Sequence, residues 1–425
     1  MDAPELDYAI HTTIVTDDGP KHGWLEILGD RIVKLGNDDE HPSAKHVLEF
    51  DGYAYPGLID THNHVDWNTV SRWSAGHDWD NRYQWQEDDG YKSDVNSPHS
   101  DGISKNKNCI DSCKIEATEY GELRALTGGT TMIQSSFDNT FPQDLVIRQL
   151  GPNYKADAWT LNVGRIPDAF HESLLDGLKT GRLDRAFFHV AEGNREDSET
   201  ESEFDTLRKD GFVRPGTVVI HGLGLDKTNF DEMKKNGMYL VWSPESNLNL
   251  YGETTDIKAA KEAGLTVALA PDWTITGSNN ALEELNVASN YAKTNNLQNI
   301  LTPKVLYNMV TSDAAEVAGV GNQLGHLAPN FGADVLLVQK HDSDPYNNLI
   351  QSNIGDVSLV FIKGKPLYGD ESMLKPLAPN AESINIAGSH KALNTEATAL
   401  KEPAAVLMDD LNKALPHLAP LHEGK

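Results

Sequence analysis

The segment PGLIDTHNH at 56–64 places His62 and His64 two residues apart at the end of an apolar run. On an extended strand, residues i and i+2 project to the same side, so the pair could share one metal ion. Standing alone, such a pair is also compatible with two surface or core histidines. Later apolar runs also close on polar groups. His189 ends Ala186-Phe-Phe, His221 ends Thr217-Val-Val-Ile, and Asp272 follows Ala268-Leu-Ala-Pro. If these runs are parallel strands of a barrel, their C-terminal ends form the face on which active sites assemble. Imidazole nitrogens with a carboxylate oxygen are donors that Zn²⁺ prefers and that Fe²⁺ or Mn²⁺ tolerates.

The runs that carry these groups read as buried parallel strands: 186–190, 217–221, 238–242 and 266–270, with another at 130–134. Between them, 199–211, 226–236 and 254–263 place Lys and Glu on one face and sparse apolar residues on the other, as crossover helices do. Upstream the pattern loosens, because Asp144-Leu-Val-Ile-Arg-Gln-Leu is compatible with strand or helix. The fold class expected is α/β, a (β/α)8-type (TIM-like) barrel over residues 56–324 whose eight strands need not be regular. Hairpin textures at both chain ends, 1–55 and 325–385, predict a small β-sandwich beside it. Residues 386–425 are expected as a helical tail, with Pro403 in a first turn and Pro416 as a stop.

The 64 acidic residues against 36 basic ones give a formal charge of −28, which disfavours nucleic acid and anionic lipid as partners. A solvated acidic surface explains the charge, and attraction of cationic substrates is the sharper alternative. No apolar run approaches the ~20 residues of a membrane span, and the opening MDAPELDYAIHTT lacks the basic start and apolar stretch of an export signal. The chain is expected to be soluble, either cytoplasmic or exported with its signal removed. The two cysteines, Cys109 and Cys113, lack the further ligands of a closed zinc site, and a local disulfide between them would require an oxidising compartment.

Taken together, several segments resemble the amidohydrolase superfamily, in particular its mononuclear-metal branch of cytosine deaminases, adenosine-type deaminases and triazine hydrolases. They are PGLIDTHNH at 56–64, GGTTM at 128–132, HVAEG at 189–193, VVIHGLGL at 218–225, WSPESNLNLY at 242–251, APDWTITGSNN at 270–280, NMVTSDAAEVAG at 308–319 and GADVLLV at 332–338. The resemblance implies that His62, His64, His189 and Asp272 hold one divalent ion, with Glu192 and His221 as the catalytic pair and Asp272 also taking part in proton transfer. It also implies one metal and not two, since 159–165 lacks the lysine that two-metal relatives place on the fourth strand. Glu192 lies three residues past His189, so the chain must leave the strand between them for the carboxylate to reach the metal. Ser243, Ser246 and Asn247 are expected to tighten their loop through bonds to backbone.

The loop after the first strand carries Trp67, Trp73, Trp79 and Trp85 with Arg82, Tyr83 and Tyr91. It is either the wall of a pocket for a flat, aromatic small molecule or a self-packed loop with its own core. The function implied is hydrolysis of a C–N bond by metal-activated water, first as deamination of an aminated N-heterocycle. The alternatives are hydrolysis of an acyclic amide or carbamate, and a catalytically silent binding protein of the same fold. A homo-oligomer is compatible with all three.

Overall fold

The computed structural model describes residues 5–106, 113–135, 143–400 and 402–423. In chain order, β1 (Leu6–Thr16), β2 (Gly19–Leu28), β3 (Arg31–Asn37) and β4 (Ala44–Pro56) come first. The middle of the chain supplies β5 (Leu58–Asn63), β6 (Thr130–Ser135), β7 (Arg148–Leu150), β8 (Ala156–Asn162), β9 (Arg185–Val190), β10 (Thr217–His221), β11 (Tyr239–Trp242) and β12 (Val267–Leu269). Last come β13 (Val335–Gln339), β14 (Val357–Ile362), β15 (Lys365–Asp370), β16 (Glu382–Ile386) and β17 (Ser389–Leu393).

The fold is α/β with parallel sheets in the middle of the chain. Strands β5 to β7 form a three-stranded sheet, and β12-β11-β10-β9-β8 a five-stranded one. All the pairings within them are parallel. The two sheets meet at both ends: Asn63 forms a parallel bridge to Asp272, just past β12, and β7 lies against β8. The strands are short, β-branched and aromatic runs buried on both faces, as Thr217-Val-Val-Ile-His shows. Phe187, Val218, Ile220, Val241 and Ala268 pack inside against Ile59 and Met132, with the helix Ser312–Ala318 closing that interior. Phe188, Val219 and Leu240 face the surrounding helices. The segment with two readings around Leu145 resolves as strand only at Arg148–Leu150.

The crossover helices Ser198–Lys209, Lys227–Lys235 and Ile257–Glu262 start on Asp197, Asp226 and Asp256, whose carboxylates accept from backbone N–H groups of the first turn. Part of the acidic excess therefore caps helices at the ends that favour negative charge. Gly57 is required where β4 passes into β5, because a Cβ there would collide with the Thr131 side chain.

Both chain ends join one nine-stranded sheet, in the order β16-β17-β15-β14-β13-β4-β1-β2-β3. Apolar residues from both chain ends share one cluster, which holds Leu25 and Ile27 of β2 together with Leu359 and Phe361 of β14. The sheet runs past residue 385 through β17, so the helical character expected of 386–425 is confined to the helix Ala404–Ala414 and a short turn before it. Cys109, and with it the pairing to Cys113, lies outside the described residues. Among the described residues no helix is long and apolar enough to cross a membrane.

Candidate metal centre and active site

Local breaks in strand regularity aim the polar groups inward. Ile59 faces the interior of the parallel strands, so unbroken alternation would send His62 to the opposite side. The β5–β6 register shifts between Asp60 and Asn63, and this irregularity re-aims the histidines. Asp60 fixes the corner by accepting from His62 N at 3.1 Å and Asn63 Nδ2 at 2.7 Å. On the other strands Ala191, His221 and Asp272 take left-handed backbone conformations, with φ of 52°, 67° and 69°. Non-glycine residues rarely adopt this region, and it is held here by surrounding structure. The turn at Ala191 interrupts alternation after His189 and returns Glu192 to the interior.

The imidazoles converge. The rings of His64, His189 and His221 lie 5.0, 4.9 and 5.4 Å from that of His62. Asp272 Oδ1 stands 3.0 Å from His62 Nε2 and 3.4 Å from His64 Nε2. Donor atoms of His62, His64 and Asp272 lie within 4.8 Å of one another, as do those of His62, His189 and His221. Distance alone therefore admits His221 beside the four ligands expected. Burial holds the imidazoles neutral, with His62 and His221 lowered to about 3, His64 to about 4 and His189 well below its ordinary value. Neutral imidazole is the form that ligates metal. His62 Nε2, His189 Nδ1 and Asp272 Oδ1 are buried without a hydrogen bond, a costly state that a divalent ion at their centre would relieve. The donor set fits such an ion.

Glu192 is 6% exposed, and its Oε2 stands 3.8 Å from His221 Nε2. Burial raises its carboxyl to about 7, against the opposing charge of Arg82. Ser246 and Asn247 bond to other side chains and not, as expected, to backbone. Ser246 Oγ donates to Asp272 Oδ2 at 2.7 Å, and Asn247 Oδ1 stands 3.0 Å from His221 Nδ1. Ser243 makes no such contact; its Oγ is buried without a partner. Beside Glu192 stand Tyr251, which sequence reasoning did not place in the site, and Arg82 of the tryptophan-rich loop, with Trp85 of the same loop bonded to Tyr251. Tyr251 closes the segment WSPESNLNLY, and the place of Arg82 between Trp79 and Trp85 was the available signal for it.

These groups open into a cavity of about 160 Å³ walled by Trp67, Trp85, Tyr91, Leu250 and Trp273, with Gln86 and Asn162 as further polar lining. His62 lies beneath it, fully buried. The tryptophan-rich loop both walls the cavity and packs on itself, because Trp85 and Tyr91 line the cavity while also packing with Val70, Val95 and Tyr251 in a separate apolar cluster.

The amidohydrolase family model matches residues 185–367. The 5-methylthioadenosine/S-adenosylhomocysteine deaminase 1 of Syntrophus aciditrophicus is 25% identical over 200 residues, 44% of this chain and 45% of that protein. The match thus spans less than half of that relative. The 5-methylthioadenosine/S-adenosylhomocysteine deaminase of Desulforamulus reducens is 24% identical over 416 residues, covering 84% of this chain and 92% of its own length. Among solved structures, an adenosine deaminase from Xanthomonas campestris with bound zinc superimposes with a TM-score of 0.73 at 15% identity, covering 97% of this chain and 98% of that one.

Proposed function

We propose that this chain, in which residues 185–367 are amidohydrolase-family sequence, is a metal-dependent hydrolase that deaminates a small aminated N-heterocycle. The observation carrying this reading is the meeting of His62, His64, His189, His221, Asp272 and Glu192 around one aromatic-walled cavity. At about 160 Å³ the cavity is smaller than the ~300–1,000 Å³ typical of ligand pockets, which favours a compact planar ring over a flexible chain. The relatives' names, deaminases of adenine nucleosides, support an exocyclic amine as the leaving group.

The same reading takes β5 to β12 as one closed (β/α)8-type barrel, supported by the contacts at both junctions of the two parallel sheets. It takes the nine-stranded sheet as folded over into a sandwich, supported by the shared apolar cluster. The division is then 56–324 as barrel and 1–55 with 325–393 as sandwich, the sandwich boundary moving from 385 to the end of β17, and 394–425 as tail.

His62, His64, His189 and Asp272 would hold one divalent ion, and zinc suits the donors and is bound in the Xanthomonas structure. When bound, the ion supplies Lewis-acid activation, bringing the pKa of water toward ~7. Asp272 takes the proton released from the attacking water, its carboxylate oriented by Ser246. His221, held by Asn247, directs Nε2 toward the reacting centre and polarises it. Glu192, raised to about 7, is a proton donor near neutral pH and protonates a ring nitrogen or the departing amine. The aromatic wall stacks the ring and excludes water.

The test is ammonia release by zinc-loaded protein from a panel of aminated purines, pyrimidines and triazines, alongside acyclic amides and carbamates. Turnover of a ring substrate is expected. Turnover of acyclic compounds alone would replace the deaminase reading with the amidase one, and no zinc uptake would remove both.

A further inference from the structure

We propose that Tyr251, supported by Trp85 and Arg82, is the positioning residue for Glu192, so that the tryptophan-rich loop aims the proton donor as well as walling the cavity. This rests on Glu192 being the proton donor. The Tyr251 hydroxyl donates to Glu192 Oε1 at 2.7 Å and accepts from Trp85 Nε1 at 2.8 Å. A phenol has one hydrogen to give, and the indole N–H occupies its acceptor side, which directs that hydrogen to Glu192. Oε2 is left to carry a proton toward the cavity, 3.8 Å from His221 Nε2.

Arg82 stands on the other side of the carboxylate, with Nη1 3.7 Å from Oε2. It is anchored through Nη2 to Glu203 Oε1 at 2.8 Å, and Glu203 Oε2 in turn accepts from Ala191 N at 2.6 Å, in the turn that precedes Glu192. Backbone contacts tie the same two segments together. Arg82 N donates to Glu192 O at 3.2 Å, and Asn81 bridges to Gly193. Tyr251 and Arg82 are 3% and 1% exposed, so water does not compete for these bonds. A carboxylate held at one oxygen by a fixed phenol and flanked at the other by a fixed guanidinium has little rotational freedom, and proton transfer depends steeply on such placement. Trp85 is both the support of Tyr251 and a wall of the cavity, so a ring resting on that wall touches the residue that aims the acid.

The test uses the full chain loaded with zinc and the best ring substrate of the panel, comparing wild type, Tyr251→Phe, Glu192→Gln and the double variant. Tyr251→Phe should lower kcat by ~10–100-fold while KM moves less than about 3-fold and zinc content stays the same. In the Glu192→Gln background, the same substitution should change kcat by less than about 2-fold, because its effect passes through Glu192. A full additional loss in the double variant overturns the proposal, since Tyr251 would then act by another route. Full turnover in Glu192→Gln removes the proton-donor reading and this proposal with it. Loss in Glu192→Gln with unchanged kcat in Tyr251→Phe overturns the positioning role alone. A crystal structure of zinc-loaded Tyr251→Phe decides without a substrate: a rotated or split Glu192 carboxylate supports the role, and an unmoved one overturns it.

Discussion

Two clusters of histidine and carboxylate in this molecule have similar composition and opposite physical states. On the β1–β2 surface, His11 Nε2 and His22 Nδ1 lie 2.8 and 2.6 Å from Asp38 Oδ1, and His11 Nδ1 lies 2.7 Å from Glu49 Oε2. Their donor atoms are as closely grouped as those of the interior cluster. Outside, Asp38 and Glu49 are largely exposed and both His11 nitrogens already engage a carboxylate. Inside, His62, His189 and Asp272 keep atoms with no hydrogen bond, and burial holds the rings neutral. Burial acts to lower the pKa of His11 too, but hydrogen bonds to Glu49 and Asp38 outweigh it and raise the value. Proximity of donors is not enough for a metal site; a divalent ion also requires neutral rings and free lone pairs, which only the interior cluster offers of these two.

The comparison breaks most decisively at His62, which belongs to both interior donor triples. His62→Ala should take zinc from about one ion per chain to below ~0.1 and abolish turnover, read by metal analysis of protein purified without chelator. Retained zinc would move the centre elsewhere. Glu192→Gln should lower turnover ~10²–10⁴-fold at unchanged metal content; loss of zinc in that variant would make Glu192 a ligand. Asn247→Ala frees His221 Nδ1 and should cost ~10–100-fold in turnover, the usual consequence of removing a group that orients an active-site imidazole.

The outer cluster supplies the smallest effects. The double variant His11→Ala, His22→Ala should leave zinc stoichiometry unchanged, and a drop by a whole ion would give this surface a metal site. Because the folded pKa of His11 is raised, its contribution to stability is fully present below the unfolded value of ~6.5 and is lost as pH rises through the folded value. His11→Asn should therefore lower Tm more at pH 6 than at pH 8. With exposed, solvent-screened partners the difference should stay within about 2 °C.

Much of the candidate site was legible in linear order because its histidines and carboxylates sit at strand ends. The His62 and His64 spacing, the apolar runs that end in His189 and His221, and the gap from His189 to Glu192 each carry a local constraint. The last required a departure from strand geometry, and the left-handed Ala191 is that departure. The upstream strands were less legible: β7 has three residues, too few for alternation to distinguish it from a helical turn.

The sequence by itself determined the donor types, their order along the chain and the alternation of strand and helix, because propensity, capping and burial periodicity act over a few residues. Only the tertiary structure decided what surrounds them. Tyr251 meets Glu192 across 59 residues of chain, and Trp85 meets Tyr251 across 166. Asp272 reaches Ser246 only because two neighbouring strand ends bring their loops together. No local rule specifies such partners: any buried tyrosine needs a hydrogen bond, but which group answers it is set by how loops pack over the strand ends. The tryptophans likewise signalled a large apolar loop, and the structure alone shows one loop serving both as its own core and as the wall of the cavity.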